Sequence, residues 1–161
     1  MPEGLEQSAI AERDVDLKVI DRVSNDVLET MFFTEAIATG CDHSWFSTAV
    51  TARIAFAGSH AGEFLLSVSR EAARSIASGF LGLAEEETTE NDCGQVILEL
   101  SNILCGAVLS NRWPESRLSL ATPELGGCGC ANEGALHRCF TLPVGALALT
   151  ICAADAAVSR G

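Results

Sequence analysis

The residues of this chain best suited to chemistry stand in one run, DCGQVILELSNILCGAVLS, at positions 92 to 110. Projected on a helix at about 100° per residue, Asp92, Gln95, Glu99, Asn102, Gly106 and Ser110 share a strip of roughly 80°. Val96, Ile97, Leu100, Ile103, Leu104, Ala107 and Val108 fill the opposite arc together with Cys93. An ordinary solvated strip is built from Lys, Arg and Glu. This one holds no base and places Asn in mid-helix, where Asn is disfavoured. Glu99 and Asn102 stand at i and i+3 and project side by side, while Gly106 one turn on removes bulk that would hold another surface away. An acid and an amide so displayed can enter a partner's pocket together. On spacing alone, the polar face of an amphipathic helix is an equal reading, because E-x-x-N is a short pattern.

Other constellations carry less. Cys128, Cys130, His137 and Cys139 form C-x-C-x6-H-x-C, four soft ligands in a glycine-rich stretch. Their spacing is not the usual C-x2-C pair of a structural zinc site, so no metal is assigned. Six residues separate Cys105 from Arg112, and this Cys lies within a helix, so a cysteine-phosphatase loop is rejected. Asp42, His43 and Ser44 are consecutive, and chain neighbours seldom face one another as a triad does. His60 reads as a solvated turn residue, and Trp113 as packing over the end of the polar-strip helix. No glycine-rich phosphate-binding motif follows a strand, which disfavours nucleotide binding.

Several elements must hold that helix. From Asp14 to about Thr39, Val15, Val19, Val23, Val27 and Met31 recur with Ile20, Leu28 and Phe32 at helical spacing, and Gly40 is the expected stop. Ser47 to Phe56 and Glu63 to Val68 alternate apolar and polar residues around AGSHAG, which predicts a β-hairpin. Ser69 is placed to cap REAARSIASGFLG, whose Ala72, Ala73, Ile76, Ala77 and Phe80 share a face before Gly82 ends it. An acidic connector leads into the polar-strip helix. RLSLAT, ALHRCFTL and ALALTIC then read as strands, with a turn at Pro143-Val144-Gly145. The order predicts an α+β single domain, an antiparallel sheet packed against two long helices and a shorter one. We assign residues 1–13 to an N-terminal extension, 14–155 to the domain and 156–161 to a tail.

Composition limits the partners. The chain has 161 residues, 48% of them apolar, enough for one core. With 22 acidic against 10 basic residues it carries a net charge of -12, which repels nucleic acid and anionic membranes. Mean hydropathy is positive at +0.26, but the apolar runs read as too broken to span a bilayer. The acidic start lacks the pattern of a signal peptide, so a cytoplasmic location is expected. Seven cysteines, an odd number and several in apolar runs, argue against a disulfide scaffold.

EFLLSVSREAARSIASGFLG, the acidic connector, and CGQVILELSNILCGAVLS with Pro123 downstream resemble the CheX branch of the CheC/CheX/FliY chemotaxis phosphatases. The resemblance implies a CheC/CheX-like pseudo-symmetric fold. It also implies an active Glu-x-x-Asn motif, matched here by Glu99 and Asn102, with Pro123 as the later proline. CheC-type members carry a second motif on the first long helix. Here Glu29 is followed three residues later by Phe32, which matches the single-motif CheX arrangement. Gln95 departs from the Asp or Ser often found four residues before the Glu.

The activity implied is hydrolysis of the aspartyl phosphate of a CheY-like receiver domain. Asn102 would orient water, Glu99 would dock on the receiver's lysine, and Gln95 and Gly106 would line the contact. The protein would need no cofactor of its own, the receiver supplying Mg²⁺. A homodimer is expected, with ALALTIC offering a sheet edge. The alternative is a non-catalytic adaptor that binds a receiver, or another chemotaxis protein, through the same helix.

Overall fold

The computed structural model describes residues 2–40, 48–126 and 135–153, with side chains from Val15 onward. Its elements are α1 (Pro2–Phe32), β1 (Ile37–Thr39), β2 (Val50–Gly58), β3 (Gly62–Val68), α2 (Arg70–Leu81), α3 (Glu90–Arg112), β4 (Leu118–Leu120), β5 (Glu124–Leu125), β6 (Leu136–Thr141) and β7 (Ala146–Ala153). The sheet is antiparallel in the order β1-β6-β7-β3-β2-β4, and β5 also pairs with β2. The three helices and this sheet form the expected single α+β domain.

Alternation along the strands decides which face meets the helices. Ala52, Ile54 and Phe56 of β2, Phe64, Leu66 and Val68 of β3, and Leu147, Leu149 and Ile151 of β7 enter the main core. The helices contribute Ile20, Val23, Leu28 and Phe32 from α1, Ala72, Ala73, Ile76 and Ala77 from α2, and the apolar arc of α3. Two polar links fasten this layer to the sheet. Arg138 on β6 donates two hydrogen bonds to Asp21 on α1, both 2.7 Å. The buried Ser69 hydroxyl accepts from Ala146 N at 3.0 Å and from Ala72 N at 3.4 Å, tying the start of α2 to the start of β7.

Several boundaries differ from the sequence reading. Helix α1 starts at Pro2 instead of near Asp14 and ends at Phe32, well before Gly40. Phe33 adopts φ 56°, Thr34 N donates to the Leu28 carbonyl at 3.0 Å, and the Asn25 side chain accepts from Ala36 N at 3.3 Å. Phe32 is buried and stacks on Phe80 with ring centroids 5.0 Å apart, so the helix end is fixed by packing and the next residues are released to form β1. Helix α2 ends as expected at Gly82, φ 68°. ALALTIC is not an edge: β7 lies between β3 and β6. The proposed tail, 156–161, lies outside the described residues.

Two composition-based expectations also change. Over its most apolar 18 residues α3 reaches a mean hydropathy of 1.5, long and apolar enough to cross a membrane, because its polar residues are mostly uncharged. Within the fold 56% of that window is buried, as befits a helix wedged between sheet and neighbours. Cys139 and Cys152 are disulfide-bonded, although the odd cysteine count and the apolar settings argued against a disulfide scaffold. They are not bonded to each other: β6 sets Cys139 opposite Ala148, four residues from Cys152, a separation of about 13 Å along a strand. Cys93 and Cys105 are free and buried.

Candidate functional site

Helix α3 is set at its start by a capping box. The Thr89 hydroxyl accepts from Asp92 N at 3.1 Å, and the Asp92 carboxylate accepts from Thr89 N at 3.0 Å. Asp92 is therefore a structural cap, which removes it from the candidate strip. Val96, Ile97, Leu100, Leu104, Val108 and Leu109 are all buried, and these contacts fix the rotation of the helix about its axis. Buried Ser101 is satisfied locally, donating to the Leu98 carbonyl at 2.8 Å.

With that rotation fixed, Gln95, Glu99, Asn102 and Ser110 are exposed and Gly106 is half-buried, in one line along α3. Glu99 and Asn102 make no hydrogen bond or ion pair with any described residue. Asn111 on the same helix provides the contrast: its amide donates back to the Ala107 carbonyl at 2.8 Å. The Asn102 amide thus keeps both its donors and its acceptor for an external group. At Gly106 an added Cβ would meet nothing within 4 Å. The open space continues as a groove of about 170 Å³ between α3 and β4, bordered by Gly106, Ser110, Trp113, Leu118 and Leu120. Pro123 stands just before β5, whose Leu125 leans on α3 at Gly94.

The end of α3 is more ordered than the sequence suggests. Trp113 packs near Phe56, centroids 6.1 Å apart, the role expected of it. His60, read as solvated, instead stacks on Trp113 at 3.8 Å with the rings 7° from parallel. Arg112 lies over the same indole, 4.4 Å from its centroid, and pairs with Asp16 of α1 at 3.4 Å. Burial lowers the Arg112 pKa, and the neighbouring Asp16 acts against that shift. Side-chain type at positions 60 and 113 is compatible with stacking, but nothing in the local pattern reveals that the β2–β3 turn reaches the end of α3.

Of the zinc-like set, Cys128 and Cys130 lie outside the described residues, as do Asp42, His43 and Ser44. His137 Nδ1 is 2.7 Å from Thr150 Oγ1, and its Nε2 is 3.7 Å from Cys139 Sγ. Among the described residues no group of three or more His, Cys, Asp or Glu side chains is placed to hold a metal. Burial pushes the Cys105 thiol up to about 12, far from the reactive thiolate a cysteine phosphatase requires.

Residues 50–126, a stretch that includes β2 through β5 and the whole of α3, match the family described as chemotaxis phosphatase CheX. Among solved structures, chemotaxis protein CheX from Vibrio vulnificus is similar at 17% identity and a TM-score of 0.70, over 88% of this chain and 98% of that one. The CheX-CheY-BeF3-Mg²⁺ complex from Borrelia burgdorferi is similar at 20% identity and a TM-score of 0.68, over 86% and 97%. FliY from Thermotoga maritima gives 13% identity and a TM-score of 0.63, over 88% and 89%. No match was found among curated protein sequences. Residues 50–126 thus carry a CheX match, and the fold is that of CheX- and CheC-like chemotaxis proteins, FliY among them.

Proposed function

We propose that this protein is a phosphatase for the aspartyl phosphate of a CheY-like receiver domain, its activity carried by α3 within a domain spanning residues 14–155. The observation that carries this reading is the pair of unengaged side chains, Glu99 and Asn102, presented at i and i+3 on a helix that packing holds in one orientation. The match of residues 50–126 to a phosphatase family supports it, as does the Borrelia burgdorferi neighbour, which was solved with CheY, BeF3 and Mg²⁺.

The chemistry asks little of the phosphatase. An acyl phosphate is already activated; water attacks phosphorus as the bond to the carboxylate oxygen breaks, releasing inorganic phosphate and the free aspartate. Because the transition state is loose, water placement supplies much of the attainable acceleration. A carboxamide donates and accepts hydrogen bonds without charge, so Asn102 holds water beside an anionic phosphoryl group that would repel a carboxylate. Glu99 pairs with the receiver's lysine, and that pairing sets the distance from which Asn102 works. Gln95 and Gly106 border the contact, with the groove beyond Gly106 open to a receiver side chain. Mg²⁺ belongs to the receiver, and the protein needs no cofactor of its own.

The reaction takes place in the cytoplasm, with neither membrane nor nucleic acid as partner. The protein acts as a homodimer; since β7 is interior, the sheet edge offered to a second copy is β1, beside Phe33 and Ile37, which are 77% and 67% exposed. The test is decay of a radiolabelled phosphorylated receiver at one phosphatase to about ten receivers. Turnover faster than self-hydrolysis supports the assignment. Binding without acceleration across several receivers replaces it with the adaptor reading.

A further inference from the structure

A cavity of about 300 Å³ opens where the start of α3 meets α2, β2 and β5, on a different side of α3 from Glu99. Its wall includes Val50, Ala73, Cys93, Gly94 and Leu125, so its interior is apolar. Two arginines of α2 line it. Arg70 is matched by Glu90, with which it forms an ion pair at the mouth. Arg74 is half-buried and has no hydrogen bond or ion pair with any described residue.

That arrangement is unusual in a chain with 22 acidic residues and only 10 basic ones, where acids are plentiful. A guanidinium keeps its charge, and removing it partly from water without a counter-ion costs free energy. The cost is recovered when an anion enters, because the planar fork binds a carboxylate through two parallel hydrogen bonds. A single unmatched cation, with the Glu90 carboxylate nearby, favours a monoanion over a phosphate ester. The volume lies at the small end for ligand pockets, and the apolar walls call for a hydrocarbon body.

We propose that this cavity is a binding site for a small amphiphilic carboxylate, its head group on Arg74 and its alkyl or aromatic body against Ala73, Cys93, Gly94 and Leu125. The site is independent of the phosphatase assignment and stands whether or not α3 is catalytic.

The probes are hexanoate and benzoate, with acetate as head group alone and hexan-1-ol as body alone, followed by amide chemical shifts in the ¹⁵N-labelled full chain. Hexanoate and benzoate are expected to shift Ala73, Cys93 and Gly94 saturably, with acetate and hexan-1-ol each binding about tenfold more weakly. In Arg74→Leu the preference for hexanoate over hexan-1-ol disappears. Val50→Phe, which fills the cavity and leaves Arg74 in place, weakens both. Each variant is compared with the wild type by circular dichroism first, and the wild-type ligand series stands without them. Absence of saturable shifts at millimolar hexanoate overturns the proposal. So does equal binding of hexanoate and hexan-1-ol, or an unchanged preference in Arg74→Leu.

Discussion

Replacing Gly106 by alanine should make the protein more stable, an outcome that follows from the space around one backbone atom. Glycine inside a helix costs roughly 0.5–1 kcal/mol relative to alanine, because the unfolded chain has more freedom to lose. The cost is retained where a side chain cannot fit, but an added Cβ at 106 meets nothing within 4 Å. The full propensity gain is therefore expected, about 0.5–1 kcal/mol, or a rise of about 2–3 °C in Tm for a domain of this size. Gly94 on the same helix is the control. A Cβ there meets Leu125 Cδ1 at 2.8 Å, so Leu125 must swing aside and part of the gain is lost. Urea unfolding of Gly106→Ala and Gly94→Ala, followed by far-UV circular dichroism, should give the larger increase to Gly106→Ala. If Gly106→Ala lowers the midpoint, the surface beside Asn102 is filled in the free protein and is no open docking face.

Further outcomes follow from the same structure. Gly106→Leu should keep the fold but project into the groove beside Ser110 and Leu120, lowering phosphatase turnover severalfold in the radiolabelled-receiver assay while unfolding remains cooperative. Ser69→Ala should cost about 1–2 kcal/mol in urea unfolding, since it strips a cap from α2 and leaves the buried Ala146 N–H without its acceptor. Stability should also fall at alkaline pH. Burial raises the Cys105 thiol to about 12, whereas a thiol in an unfolded chain ionises near 8.5, so between those values the folded state holds the extra proton. The unfolding free energy is expected to drop by about 1–2 kcal/mol between pH 8 and pH 10, and Cys105→Ala should flatten that dependence. The chain contains no tyrosine to obscure it.

How much of this is legible in the sequence depends on whether the signal is local. The β2–β3 hairpin, the Gly82 stop and the polar strip of α3 follow from alternation, a glycine and a helical projection, all read within a few residues. Projection places Asp92 on the strip, but its carboxylate is engaged by Thr89, a capping box that the Thr-x-x-Asp spacing already permits. Periodicity misplaces the end of α1 because Phe32 is fixed by Phe80, a residue far along the chain, and helical spacing carries no record of such a partner. ALALTIC reads as an edge only if its continuous burial, Ala146 through Leu149, is overlooked, for that is the mark of an interior strand. His60 on Trp113, the disulfide bonds of Cys139 and Cys152, and the unmatched Arg74 are all consequences of tertiary assembly. Residue types alone do not locate them.

Whether Asn102 positions the attacking water and Glu99 holds the receiver is read most directly by comparing Asn102→Ala with Glu99→Ala in both turnover and binding. Phosphate release from a radiolabelled receiver is followed alongside affinity for the same receiver carrying beryllofluoride. Asn102→Ala is expected to lose nearly all acceleration yet still bind, and Glu99→Ala to lose affinity. Undiminished turnover in Asn102→Ala would contradict this and remove that amide from the mechanism.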